Sequence, residues 1–129
     1  MELRVETDAR TTTVDVTDRV ADAISPDCDT GTCTVFVEHT TAALAIQENE
    51  PRLREDIEGF LADLVPDEGH AHDRLDNNAD AHLRATILGP SVSVPIRDGS
   101  LALGTWQSIL LVECDGPRTR RLSLTVLEG

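Results

Sequence analysis

His39, His70, His72 and His82 are the four histidines of this 129-residue chain. Imidazole is the commonest side-chain ligand for a transition metal. His39 closes a strand-like run and opens His39-Thr40-Thr41-Ala42. His70 and His72 sit in an acid-rich stretch. His82 lies in a helical stretch with Ala79 at i−3 and Thr86 at i+4. A strand end, a loop and a helix can converge on one ion, and small residues beside His82 leave it room. No HExxH or CxxC spacing fixes that convergence. Solvated loop histidines and a packed His82 are the alternative use of the same residues.

Most of the 24 Asp and Glu must be solvated. Two stand out because they follow apolar runs: Glu48 after Leu44-Ala45-Ile46-Gln47, and Glu113 after Ile109-Leu110-Leu111-Val112. Each either ends its strand in water or is aimed into a site, where desolvation raises its pKa toward general-acid use or a metal or an Arg keeps it charged. All 11 basic residues are Arg. Arg118, Arg120 and Arg121 cluster after Asp115-Gly116-Pro117. A guanidinium fork suits a phosphate or carboxylate, and ion pairing with neighbouring acids is its other use. With no Lys in the chain, a phosphate must be met by Arg or by a metal. The one Trp, Trp106, stands in a polar Gly104-Thr105-Trp106-Gln107 setting, which suits a pocket wall or an interface.

The net charge of −13 disfavours binding to nucleic-acid phosphates. No apolar run approaches the ~20 residues of a membrane span. The Met1 to Val5 start lacks the apolar core of a secretory signal, and an odd set of cysteines (Cys28, Cys33, Cys114) fits reduced thiols in a cytoplasm. Cys33 and Cys114 read as buried small hydrophobes. An acidic, Lys-free composition with two Phe and no Tyr resembles that of salt-in halophilic archaea. There the ~3 Å Debye length at ~1 M salt removes most of the self-repulsion. There is no P-loop, GxGxxG or nucleophile elbow.

The elements that must position these groups follow from periodicity. Residues 3–7 and 11–16 alternate as two strands around a hairpin-sized Asp8-Ala9-Arg10. Thr17 opens a short helix, and Thr32 to Glu38 is the clearest strand, running past His39 into the small-residue segment Thr40 to Ile46. Asn49-Glu50-Pro51, with Asn49 as its cap, starts a helix whose Leu53, Ile57, Phe60, Leu61 and Leu64 share one face. Residues 67–78 form a polar loop of a length that is often functional. Ala79 to Leu88 is a further helix, with Leu83 and Ile87 on a face apart from His82. Strands follow at 92–96, 105–114 and 120–127, the first two joined through an Asp98-Gly99 turn. This order predicts a single domain over residues 1–129, of α+β class, with a mostly antiparallel sheet and two to three helices packed on one side.

At this point the chain resembles the YjbQ family of secondary thiamine-phosphate synthases. The resemblance rests on His39-Thr40-Thr41-Ala42, Gln47-Glu48-Asn49, Leu64-Val65-Pro66, His72, and Asn78-Ala79-Asp80-Ala81-His82-Leu83. It continues through Leu88-Gly89, Val94-Pro95-Ile96, Leu103-Gly104-Thr105-Trp106-Gln107 and Glu113-Cys114-Asp115-Gly116-Pro117-Arg118. Where many relatives carry Tyr two residues before the loop histidine, this chain has His70. The resemblance implies a homotrimer with a divalent-metal site at His39, His72 and His82. It implies a transferase joining a pyrimidine diphosphate to a thiazole phosphate with release of pyrophosphate. On that reading Glu48, Asn78 and Arg118 serve catalysis, and Thr40, Thr41, Trp106, Gln107 and Arg118 meet a small phosphorylated metabolite. The metal is zinc or another transition ion, or magnesium carried by the diphosphate. A metal-dependent hydrolase or phosphatase, and a non-catalytic trimeric ligand-binding protein, are the rival readings.

Overall fold

The computed structural model describes residues 1–129. Eight strands form two sheets, and every pairing is antiparallel. The larger sheet has the order β1 (Glu2–Glu6), β8 (Thr119–Glu128), β3 (Gly31–Val37), β5 (Ser91–Arg97), β6 (Ser100–Leu101). The smaller has β7 (Ser108–Glu113) between β2 (Thr12–Asp15) and β4 (Ala42–Gln47). Val5, Cys33, Val35, Val37, Leu122 and Leu124 of the larger sheet share one core with Ala42, Leu44, Ile109 and Leu111 of the smaller. Helix α1 (Thr17–Asp22) and the turn after it add Val20 and Ile24.

The far face of the smaller sheet carries α2 (Pro51–Leu64) and α3 (Ala79–Leu88). There Leu61 and Ala81 pack against Val112 and Cys114. This sheet is covered on both faces, which is why β7 reads as a continuous apolar run, Ile109 to Val112, rather than an alternation. The α+β class, the antiparallel sheets and the helices on one side are as the sequence predicts. All three cysteines are buried and unpaired, and burial pushes the Cys114 thiol up to about 11.

Three local expectations change. The first two strands are not a hairpin: β1 pairs with β8 and β2 with β7, so Asp8 to Arg10 carries the chain from one sheet to the other. Alternation establishes a strand but not its partner. Glu50, not Asn49, caps α2, accepting from the Leu53 N–H at 2.7 Å. The predicted apolar faces of the helices are only half used. Leu61 is buried and Ile57 half-buried, whereas Phe60, Leu64, Leu83 and Ile87 are exposed. The face α3 buries is instead Ala79, Asp80, Ala81, Arg84 and Ala85.

Candidate functional site

The cleft forms where strand ends meet the start of α3. β3 and β4 are joined through Glu38 to Thr41, which turns the chain from the larger sheet to the smaller. The loop from β7 to β8 makes the same crossing and carries Asp115 to Arg118. Both crossings lie at the Ala42–Glu113 end of the β4–β7 ladder. The loop before α3 brings Asp76 and Asn78 to the same place. A cleft of about 750 Å³ results, lined by Glu38, His39, Thr40, Thr41, Asp76, Asn78, His82, Asp115 and Arg118 among others.

A buried ion pair forms the floor. Arg120 Nε donates to Glu113 Oε1 at 2.9 Å, and Arg120 Nη2 pairs with Glu113 Oε2. Arg120 Nη2 also donates to Thr41 Oγ1 at 2.9 Å, and the Thr7 hydroxyl donates to Glu113 Oε1 at 2.7 Å. Thr7 Oγ1 in turn accepts the Arg118 N–H at 3.0 Å. The side chains of Arg120 and Glu113 are 2% and 0% exposed. Burial alone would raise the Glu113 pKa, but the Arg120 and Thr7 hydrogen bonds outweigh it and hold the carboxyl below its ordinary value. Gly116 is required here: a Cβ would strike the Ala9 carbonyl and come within 2.8 Å of Glu113 Cγ and Thr7 Oγ1.

A second buried cluster fixes α3. Arg84 donates to Asp80 (2.7 Å), Asp67 (2.9 Å) and the carbonyls of Leu61 (3.2 Å) and Val65 (2.8 Å). The Leu61 carbonyl lies in the last turn of α2 and Val65 just beyond it. Arg10 binds the other side of Asp80 through both carboxylate oxygens, at 3.0 and 3.2 Å. Desolvation opposes the charge on Asp80, yet Arg10 and Arg84 keep its pKa below the ordinary carboxylate value. Neither Asp80 nor Arg84 is evident as a buried pair from sequence. Their i,i+4 spacing is that of a common surface pair, and only the α2 carbonyls reveal the burial.

His39 and His82 line the cleft, His72 packs against His82, and His70 stands apart. His72 follows the start of a short 3-10 turn (Ala71–Arg74), and its ring meets His82 edge-on with centroids 4.8 Å apart. His72 Nε2 is shielded and has no hydrogen-bond partner; Asp76 Oδ2 stands off at 3.7 Å. His39 Nε2 accepts the Arg121 backbone N–H at 2.9 Å. Burial, then Arg120 and Arg121, lower the His39 pKa. His70 is structural: its ring nitrogen lies 2.7 Å from the Pro66 carbonyl. Asn78 Nδ2 donates to Asp115 Oδ2 at 2.9 Å, while its Oδ1 is shielded and unpaired. Arg118 is turned by the Asp115 carbonyl (2.7 Å) and carboxylate (3.2 Å).

His72 and His82 fit a divalent ion as a pair, because imidazoles on one tetrahedral ion have ring centres roughly 5 Å apart and His72 Nε2 is free. His39 does not fit as the third ligand: its Nε2 accepts the Arg121 N–H, and ligation through Nδ1 would put the ring proton on Nε2 against that donor. No three His, Cys, Asp or Glu side chains are grouped to hold one ion.

Glu48, Trp106 and Gln107 stand elsewhere. Glu48 and Trp106 line a separate depression with Asn49, Glu50, Thr105 and Ser108. It lies at the Gln47–Ser108 end of the β4–β7 ladder, roughly 17 Å from the cleft at ~3.4 Å per residue. Gln107 folds back, its Oε1 accepting the Gly104 N–H at 2.7 Å.

A family model described as UPF0047 protein YjbQ-like matches residues 1–129. The chain belongs to the YjbQ family. A UPF0047 protein of Archaeoglobus fulgidus is 52% identical over 128 residues, covering 98% of this chain and 100% of the relative. One from Methanothermobacter thermautotrophicus is 46% identical over 97% of this chain and 89% of its own length. The crystal structure of the hypothetical protein APE1520 from Aeropyrum pernix superposes with a TM-score of 0.95 at 44% identity, covering 100% and 98% of the two chains. A YbjQ-like protein of unknown function from Sulfolobus solfataricus gives 0.93 at 37% identity, covering 100% and 96%. YjbQ membership therefore accounts for the architecture, and the chemistry has to be argued from the cleft. No helix is long and apolar enough to cross a membrane.

Proposed function

We propose that the cleft binds a small phosphorylated metabolite and serves a transferase reaction of the thiamine-phosphate-synthase type, joining a pyrimidine diphosphate to a thiazole phosphate. The observation that carries this reading is the convergence of His39, Thr40, Thr41, Asn78, His82 and Arg118, from separate chain segments, on one cleft. The backbone N–H groups of His39, Thr40 and Thr41 donate to no group of the chain, so they remain for a ligand oxygen. Arg118 adds a guanidinium whose orientation is set by Asp115.

Glu38, Asp76 and Asp115 also line the cleft and would repel an anion. A divalent ion at His72 and His82, zinc or another transition metal, or magnesium arriving with diphosphate, would supply charge neutralisation on the departing diphosphate. Arg118 would hold phosphate oxygens, Thr41 would hydrogen-bond them, and Asn78, braced by Asp115, would shape the wall against the second substrate. Glu48, Trp106 and Gln107 would join this cleft only from a neighbouring subunit. Exposed Phe60, Leu64, Leu83 and Ile87, beside an apolar groove of about 220 Å³, support assembly into a homotrimer. Three buried free thiols suit a reducing cytoplasm.

Calorimetric titration with inorganic pyrophosphate, with and without zinc or magnesium, tests the reading. Wild type is expected to bind, and Arg118→Ala to bind about tenfold or more weakly, as loss of a charge-assisted bond predicts. Equal binding by the variant, or none by wild type, overturns it. Orthophosphate release without a joined product would favour the hydrolase.

A further inference from the structure

The geometry points to His39 as a fixed-tautomer hydrogen-bond donor to a phosphoryl oxygen, rather than a metal ligand. The inference rests on the cleft being a phosphate site. A neutral imidazole has one acceptor nitrogen and one N–H. Here the acceptor is Nε2, which takes the Arg121 N–H at 2.9 Å. The proton must then be on Nδ1. Protonating Nε2 would set two N–H groups against each other. A metal on Nε2 would need the same lone pair. A metal on Nδ1 would drive the ring proton to Nε2, against Arg121. Both routes to ligation are closed while the bond to Arg121 holds.

That bond is well anchored. Arg121 lies in β8, whose pairing with β1 sets Arg121 against Arg4, and the Arg121 carbonyl accepts the Glu38 N–H at 3.1 Å. The residue before His39 and its ring are thus both tied to one β8 residue. Nδ1 makes no bond within the chain and is not shielded, and the ring lines the cleft. The backbone N–H groups of His39, Thr40 and Thr41 donate to no group of the chain either. The Nδ1–H suits an oxygen that only accepts, as in a phosphate dianion, and leaves metal binding to His72 and His82.

Nitrogen-15 NMR of histidine-labelled protein, with inorganic phosphate and zinc as probes, reads the tautomer directly. His39 is expected to show a protonated Nδ1 and an unprotonated Nε2. Phosphate should shift Nδ1–H, and zinc should shift His72 and His82 but not His39. The opposite tautomer, or a zinc shift at His39, overturns the proposal. Two variants separate the two nitrogens. His39→Asn places an amide donor near Nδ1 and should keep near-wild-type phosphate affinity. His39→Gln reaches the Arg121 N–H without a donor at Nδ1. It should melt like wild type yet bind phosphate about tenfold or more weakly. Undiminished binding by His39→Gln overturns the donor role alone. Absence of phosphate binding in wild type overturns the cleft assignment as well.

Discussion

The β4–β7 ladder has two unlike ends. At the Ala42–Glu113 end, polar groups are buried and joined across long stretches of chain. The Thr7–Glu113 bond spans 106 positions, and the Arg120–Thr41 bond spans 79. At the Gln47–Ser108 end, polar groups are exposed or half-buried, and the bonds of Gln47 and Gln107 are local: Gln47 to the next residue's N–H, Gln107 to Gly104. The long-range bonds made here use exposed or half-buried side chains, Asn49 to Asp15 and the Ile109 N–H to Thr17, while Arg54 runs from Asn49 to Thr13 opposite Val112. A site whose donors must hold position is built where buried charge fixes the strand ends. An end bonded through exposed or half-buried side chains is free to serve as a contact surface.

The sharpest way to break this contrast is Arg120→Ala. The variant leaves Glu113 charged, nearly inaccessible and without its guanidinium. Removing one partner of such a pair costs about 3–5 kcal/mol. Urea denaturation should show that loss, and pyrophosphate binding should fall with it because Thr41 and the Arg118 loop lose their anchor. A loss below ~1 kcal/mol, the scale of an exposed ion pair, would mean that Glu113 is solvated and that the two ends are alike.

Acid titration probes the same end more gently. The folded pKa values of Glu113 and Asp80 lie below their ordinary carboxylate values. The unfolded chain therefore takes up protons first as pH falls. The stability these groups contribute is complete above the ordinary range near ~4 and is lost as pH drops through their depressed folded values. Glu113→Gln should lower stability at neutral pH and flatten the acid limb, leaving the Asp80 part. An acid limb as steep as wild type would place the coupling elsewhere.

How far the two ends were legible in sequence follows from the physics of each. Residue type pointed to His39, His82 and Arg118, the family resemblance added Thr40, Thr41 and Asn78, and the fold brings all six to one cleft. Of the uses open to Glu113, a strand end in water, a general acid of raised pKa, or a charge held by a metal or an Arg, the structure shows the last, with Arg120 as its partner. The metal triad was harder to read, because the bond that occupies His39 comes from the backbone of Arg121, and backbone partners leave no mark on residue type. Asp80 and Arg84 were hidden for a related reason: their burial depends on where α2 ends. The sheet crossing at Asp8 to Arg10 was missed because alternation does not name a partner strand.

The smallest effect belongs to the far end. Trp106 is 73% exposed, so Trp106→Ala removes little buried surface. Its cost should stay within ~0.5 kcal/mol, the usual range for surface changes, when unfolding is followed at a concentration where light scattering shows single chains. Repeated at a concentration where chains associate, the same variant acquires a second readout. Apolar burial against a neighbouring copy would appear as weaker assembly with the single-chain stability unchanged. A cost well above ~1 kcal/mol in the single chain would instead make Trp106 part of the fold's own packing. The far end would then serve the fold as fully as the cleft end does, and could not lend Glu48, Trp106 or Gln107 to a neighbour.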